Sequence, residues 1–274
     1  ISAFCNAGFD LNGNFSSLTA YDSNASVNFT VMGLVIAGGI GFITWADIKK
    51  NRWHFKKYSM QSKVILITTL VLIILPTIYF YMFEFSDMKF SERILCSLFQ
   101  SVSPRTAGFN TTNLTAFSEI GLMITIILML IGGSPGGTAG GMKTTTITVL
   151  LASALSVFRK NEHTHFFKRR IPENTIKNAS TILLMYLTTS MLGAMIIRHV
   201  EKIPLMSSLF ETASAIGTVG LSLGITTELG TLSRAILIFL MFIGRAGGLT
   251  LIFAAVSEKK LDGARFPQEK ITVG

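Results

Sequence analysis

The chain reads as an all-α integral membrane protein built from repeated helix, pore-loop and helix units. Three observations point there. Hydrophobic residues make up 49% of the 274 positions and charged residues only 14%, a balance foreign to ordinary soluble domains. Several uncharged stretches approach the roughly 20 residues that a helix needs to cross a hydrocarbon core about 30 Å thick. Finally, a glycine loop recurs as Asn6-Ala7-Gly8-Phe9, Thr106-Ala107-Gly108-Phe109 and Thr218-Val219-Gly220-Leu221, with Gly-to-Gly spacings of 100 and 112 residues. Each copy precedes an uncharged run, and a long-period repeat of this kind outranks any local motif.

Taken in order, the chain opens seven residues before Gly8 without an initiator Met. A complete pore helix is expected before that glycine, so the chain reads as a fragment lacking its N-terminal repeat. After a polar loop, Val27 to Trp45 holds 19 residues without a charge, enough for one crossing. Asp47 to Lys63 follows with Lys49, Lys50, Arg52, Lys56, Lys57 and Lys63 against one acid, the mark of a cytoplasmic loop. Val64 to Phe83 is the next predicted span. Ser91 and Glu92 then open a helix, Ser91 as the capping hydroxyl and Glu92 as an acid at the positive end of the dipole. That helix ends near Ser103, too short to span, so the segment must enter and turn back. Non-helical backbone at that depth has to line a watery cavity or be buried in protein. The same logic recurs with Pro204 at a helix start and Leu205 to Ile216 before the Gly220 loop.

Between them lies Ile120 to Phe158, whose only charge is Lys143. Fully helical it would be about 58 Å long, too long for one crossing. Within it stands Gly132-Gly133-Ser134-Pro135-Gly136-Gly137-Thr138-Ala139-Gly140-Gly141, six glycines and a proline in ten residues, which cannot continue a helix. A broken helix with an unwound loop at membrane depth is expected. The loop nearly fits the phosphate-binding pattern G-x-x-x-x-G-K-[ST], but Met142 displaces Lys143 by one position and no strand feeds it, so no ATP site is read here. A second basic loop, Arg159 to Lys177, precedes the predicted span Asn178 to Ile197, and roughly Ala235 to Ser257 is the last span. The two basic loops and the tail hold 16 of the 24 Lys and Arg. The net charge of +9 is therefore topological, placing these segments inside, and leaves no dedicated nucleic-acid patch.

Cys5 and Cys96 sit in apolar surroundings without metal-ligand partners and read as buried thiols; the four His residues fall in loops or at span ends. Glu211, mid pore helix, is expected either to shape the outer cation field or to pair with Arg198 or Lys202. Arg245 lies midway along the last span, where an ionised side chain is usually functional. Carbonyls and hydroxyls of the Gly132 to Gly141 loop are its expected partners.

The three glycine loops, the Gly132 to Lys143 segment, the run Gly244-Arg245-Ala246-Gly247-Gly248 and the ending Phe266 to Gly274 together resemble the Trk/Ktr/HKT superfamily of potassium transporters, closest to its KtrB-type membrane subunit. The resemblance implies pseudo-fourfold symmetry of four such units around one K⁺ pathway, with this chain covering the end of the second unit (1–63), the third with its broken helix (64–177) and the fourth with a cytoplasmic tail (178–274). It also implies K⁺ uptake across the plasma membrane, a homodimer, and a cytoplasmic ring of nucleotide-binding KtrA-type regulators. It makes Gly132 to Thr146 an intramembrane gate, with Lys143 and Arg245 beside it. No covalent chemistry and no cofactor are implied, only K⁺ as substrate and Na⁺ as an open question. K⁺ would meet backbone carbonyls of Asn6 to Phe9, Thr106 to Phe109 and Thr218 to Leu221, which replace its water shell. The alternative is an ion-coupled secondary transporter, a Na⁺/K⁺ symporter with its site at the broken helix.

Overall fold

The computed structural model describes residues 1–13, 16–52 and 54–247. The predicted span from Val27 to Trp45 is two helices, α1 (Ala25–Gly39) and α2 (Phe42–Asn51), bent by 95°. The break falls at Gly41, whose φ of +87° is closed to most side chains. Trp45 Nε1 donates to Ala37 O at 2.8 Å and closes the elbow. α2 carries the basic residues Lys49 and Lys50 in its last turn. Asp47 on α2 accepts from Ser59 N at 2.9 Å and Ser62 Oγ at 2.7 Å, tying it to the start of the next helix.

That helix, α3 (Met60–Tyr79), is capped by Ser59 and contains Pro76. It continues into a π-helical turn, Phe80–Glu84, closed by Phe85 N–H on Phe80 O. The proline leaves one carbonyl without its usual donor, and a widened turn is a common adjustment. The short α4 (Phe90–Val102) starts one residue earlier than expected. Its N-cap is Lys89 without a side-chain cap, so Ser91 lies inside the helix, while Glu92 does occupy the first turn.

The long apolar stretch is broken as its glycines require, into α5 (Glu119–Leu130) and α6 (Thr144–Phe158). The second basic loop contains a small hairpin, β1 (His165–Phe166) with β2 (Arg169–Arg170), turning through Phe167 and Lys168 at φ 46° and 62°. α7 (Glu173–Glu201) begins inside that loop and runs 29 residues, longer than the predicted span. α8 (Leu205–Ile216) follows Pro204, and α9 (Thr231–Ala246) ends the described chain. The far part of the last predicted span and the whole C-terminal tail lie outside the described residues.

Burial sorts these helices into two kinds. α4 and α8 form the core. α8 buries Phe210 to Ile216 without interruption, against Leu122, Ile126 and Met129 of α5 and Tyr186, Leu237 and Leu240 of α7 and α9. α4 packs Phe99 and Val102 against Met32 and Val35 of α1. The other helices expose apolar faces, such as Leu184, Leu187, Met191 and Leu192 on α7, Leu70, Ile74 and Leu75 on α3, and Ile238, Phe239 and Phe242 on α9. A long helix with an apolar outside and a polar-lined inside is the arrangement that lipid demands. Met60–Glu84 and Glu173–Glu201 are long and apolar enough to cross a membrane, and the bent α1–α2 pair qualifies as a broken span.

Candidate functional site

The three glycine loops share one local structure. In each, the residue before the glycine returns its N–H to a serine carbonyl: Ala7 to Ser2 at 3.0 Å, Ala107 to Ser103 at 3.0 Å and Val219 to Ser214 at 2.8 Å. The flanking residues then alternate in hand. Asn6, Thr106 and Thr218 have φ of 49°, 69° and 53°, and Gly8, Gly108 and Gly220 have φ of 73°, 78° and 93°. Backbone that alternates hand gathers N–H groups on one side and leaves carbonyls on the other. For a β-branched threonine, positive φ is a strained state of about 1–3 kcal/mol that persists only where the surroundings impose it.

The loops meet. A Cβ built on Gly8 would lie 2.7 Å from Ala107 O, one on Gly108 would lie 2.2 Å from Val219 O, and one on Gly220 would have Gly108 Cα as nearest neighbour at 4.0 Å. Segments separated by 100 and 112 residues in sequence thus stand backbone to backbone. Among the described residues, no backbone N–H donates to the carbonyls of Asn6, Ala7, Gly8, Thr106, Ala107, Gly108, Thr218, Val219 or Gly220. The side-chain bonds here go to flanking carbonyls instead. Asn6 Nδ2 approaches Arg105 O at 3.5 Å, and Ser103 Oγ donates to Phe109 O. The Phe109 carbonyl is thereby engaged by the C-terminal end of α4, and its ring packs in the core with Ala107. Leu221 is likewise buried, whereas Phe9 is 80% exposed.

Two cavities flank the cluster. One of about 430 Å³ is lined by Gly8, Asp10, Asn110, Gly220, Ser222 and Thr226. The other, about 340 Å³, runs from Ala7 and Thr218 past Leu237 and Met241 to Arg245. Glu211 lies at the second cavity's wall but pairs with neither Arg198 nor Lys202. Its carboxylate accepts from Ser222 Oγ at 2.6 Å, Thr226 Oγ1 at 2.7 Å and Leu223 N at 3.2 Å, clamping the segment that follows Gly220. Arg198 donates to Ile203 O, and Lys202 ends α7 in a left-handed cap.

The glycine-rich loop between α5 and α6 lies against the same cluster. Its ends are pinned together, Gly132 N–H to Met142 O at 2.8 Å and Thr144 N–H to Gly133 O at 2.9 Å. Its middle is tied to the broken end of α1, with Ser134 N–H on Gly39 O, Thr138 N–H on Gly38 O and Phe42 N–H on Gly136 O. Pro135, Gly136 and Gly137 form the less buried outer turn, while Ala139 and Gly141 are buried. The loop reaches the first residue of all three glycine loops. Thr138 Oγ1 lies 3.2 Å from Asn6 Oδ1, and Cβ atoms built on Gly132 and Gly140 would lie 3.2 Å from Thr106 Cγ2 and 2.0 Å from Thr218 Oγ1. Lys143 Nζ donates to Ala139 O at 2.6 Å, and Arg245 Nη1 to Thr138 O at 3.0 Å.

Sequence reasoning overlooked three features. Arg105 is 6% exposed, its Nε has no partner among the described residues, and it lines a small cavity with Asn6, Thr69 and Gly133. Nothing in Pro104-Arg105-Thr106 distinguishes a buried arginine from an exposed one. The recurring serines Ser2, Ser103 and Ser214 precede each loop at nearly equal distances and were the available signal. Of the two cysteines, Cys96 is buried as expected but Cys5, in the turn before Gly8, is exposed. Among the described residues no group of His, Cys, Asp and Glu could hold a metal ion.

Comparison with known proteins bears on this geometry. The family model described as TrkH, cation transport protein, matches residues 1–262. The chain is 38% identical over 285 residues to the potassium/sodium uptake protein NtpJ of Enterococcus hirae, covering all of this chain and 62% of that protein. It is 36% identical over 280 residues to the Ktr system potassium uptake protein B of Bacillus subtilis, again covering all of this chain and 62% of the relative. The chain therefore spans less than two thirds of the length of these relatives. In fold it resembles the crystal structure of the potassium transporter TrkH from Vibrio parahaemolyticus, with a TM-score of 0.77 and 17% identity over 93% of this chain and 56% of that one.

Proposed function

This chain belongs to the TrkH family of cation transport proteins, and from that premise we propose that its glycine loops select K⁺ for uptake across the cell membrane, with Gly132 to Thr146 as the gate against them. It is a membrane transporter and not an enzyme. The observation that carries the K⁺ reading is the set of carbonyls from Asn6 to Gly8, Thr106 to Gly108 and Thr218 to Gly220 that receive no backbone donor. Gly8, Gly108 and Gly220 line the larger cavity and Ala7, Thr218 and Val219 the smaller one, so carbonyls at these walls are open to a cation that trades its water shell for carbonyl oxygens. α4 and α8 end at these loops, and the partly negative C-terminal ends of their dipoles favour a cation over an anion. These loops are shorter and less regular than a Thr-Val-Gly-Tyr-Gly filter, which favours few ion sites over a long queue.

The gate reading is supported by the contacts of Gly132, Thr138 and Gly140 with the inner residue of each loop, and by the Arg245 bond that holds Thr138. By the distribution of Lys and Arg, the segments at 49–63 and 159–177 face the cytoplasm. There they offer a basic surface to a nucleotide-binding regulatory ring of the KtrA type, on which the transporter sits as a homodimer. The names of the Ktr-system relatives, which make them components of a system, support a partnered arrangement.

Rubidium uptake by the intact transporter in K⁺-uptake-deficient cells tests the reading. Deleting the gate segment raises uptake, and a bulky residue at Gly108 or Gly220 abolishes selectivity; uptake indifferent to both rejects it. A Na⁺/K⁺ symporter with its site at the broken helix has one observation in its favour, the sodium in the name of the Enterococcus hirae relative. A fixed Na⁺ to K⁺ stoichiometry of uptake would select that reading.

A further inference from the structure

We infer that Asn6 is a positioning residue that couples the gate loop to the filter, so that K⁺ over Na⁺ discrimination depends on whether the gate is seated. The inference rests on the filter-and-gate reading above. Asn6 takes the place that Thr106 and Thr218 hold in the other two loops. Its amide reaches both ways. Nδ2 lies 3.4 Å from Thr106 Oγ1 and 3.5 Å from Arg105 O, while Oδ1 lies 3.2 Å from the hydroxyl of Thr138 on the gate loop. The opposite amide orientation would set Oδ1 against the Arg105 carbonyl, acceptor to acceptor, so the network itself fixes this one.

Every bond in the chain is incomplete. The Thr138 hydroxyl has one proton and two acceptors, Asn6 Oδ1 and Phe4 O at 3.0 Å. The two contacts from Nδ2 are at the long end of hydrogen bonding. The amide is therefore held by the sum of its partners, and withdrawal of the gate loop removes the partner on one side. Thr106, strained at φ 69°, then loses the brace that Asn6 supplies. The Gly220 loop has no such link. Among the described residues, Thr218 Oγ1 is buried without a partner and meets the gate as packing against Gly140. Coupling is thus confined to the Gly8 and Gly108 loops.

A double-mutant cycle in the intact transporter tests this, reading basal rubidium uptake and its competition by Na⁺. Asn6→Thr and Thr138→Val each remove the shared bond. Each is expected to raise basal uptake about fivefold, the scale of one net hydrogen bond, and to weaken rubidium over Na⁺ preference. The double variant is expected to match either single variant, because one interaction cannot be lost twice. Thr138→Ser keeps the hydroxyl and is expected to behave as the parent, and Thr138→Ala serves as a second loss variant. Additive effects, about 25-fold in the double variant, overturn the inference, as do single variants with parental uptake and preference. Deletion of the gate segment is measured alongside. Uptake unchanged by that deletion defeats the gate reading itself, whereas raised uptake with an additive cycle defeats only the coupling through Asn6.

Discussion

Arg245 donates from Nη1 to the main-chain carbonyl of Thr138 at 3.0 Å, joining the last turn of α9 to a loop 107 residues earlier. The acceptor is backbone, so no substitution at position 138 removes it. A hydrogen bond from a charged donor contributes about 1.5–3 kcal/mol, which corresponds to roughly tenfold or more in the equilibrium between a seated and a released Gly132 to Thr146 loop. Arg245→Gln is therefore expected to raise basal rubidium uptake about tenfold. Arg245→Lys, with a shorter reach and no fork, falls between.

The three loop glycines are not equally exacting. A Cβ at Gly108 would sit 2.2 Å from Val219 O, whereas one at Gly220 finds nothing nearer than 4.0 Å. Both positions carry the left-handed penalty of about 1–2 kcal/mol for a side chain, but only Gly108→Ala also drives two loops apart. Gly108→Ala is expected to abolish selective uptake, and Gly220→Ala to reduce it about tenfold or less. Equal losses in a rubidium and sodium uptake assay would contradict the backbone contact between the Gly108 and Gly220 loops.

Glutamates at the ends of two spans reach past the next short helix to the start of the helix after it. Glu84 accepts from Ser118 N–H at 3.1 Å at the start of α5, and Glu201 accepts from Gly230 N–H at 2.9 Å and Ser233 Oγ at 2.5 Å at the start of α9. Each carboxylate meets the positive end of a helix. Glu84→Ala is expected to lower the unfolding temperature of the detergent-solubilised protein by about 2–4 °C. Glu84→Gln, which still accepts, should lower it less. The measurement is a thermal melt of the purified transporter.

Glu211 holds the segment Ser222 to Thr226 through three donors and lies beside the Gly220 loop. Glu211→Ala removes the shared acceptor of those donors and leaves Ser222 and Thr226 only their bond to each other at 2.8 Å. Rubidium uptake by this variant is expected to become more sensitive to Na⁺ competition, with Glu211→Gln closer to the parent. A competition curve identical to the parent's would mean that the clamp has no bearing on the filter.

Periodicity and composition made much of this legible. Uncharged runs located α3 and α7, the short Leu205 to Ile216 segment was a complete helix, and six glycines with Pro135 broke the stretch between α5 and α6 as their backbone requires. What was missed depends on single residues in ordinary contexts. Gly38, Gly39 and Gly41 stand together at the elbow, but the uncharged run around them has the length of one crossing and so read as a straight span. Ser91 looked like a cap because its neighbour Glu92 suits a first turn, yet the helix begins at Phe90. The threonines and asparagine ahead of each glycine carry the same positive φ as a device of the loop, and no propensity announces a left-handed threonine. The bond from Thr138 to Asn6 spans 132 residues, beyond any local pattern.

The most direct measurement is an experimental structure of the intact transporter in rubidium or thallium, read by anomalous scattering. Density on the axis between Gly8, Gly108 and Gly220, in contact with carbonyls of Asn6 to Gly8, Thr106 to Gly108 and Thr218 to Gly220, is the expected result. An axis without cation density, and a cation bound instead in the Gly132 to Thr146 loop, would contradict selection by these carbonyls.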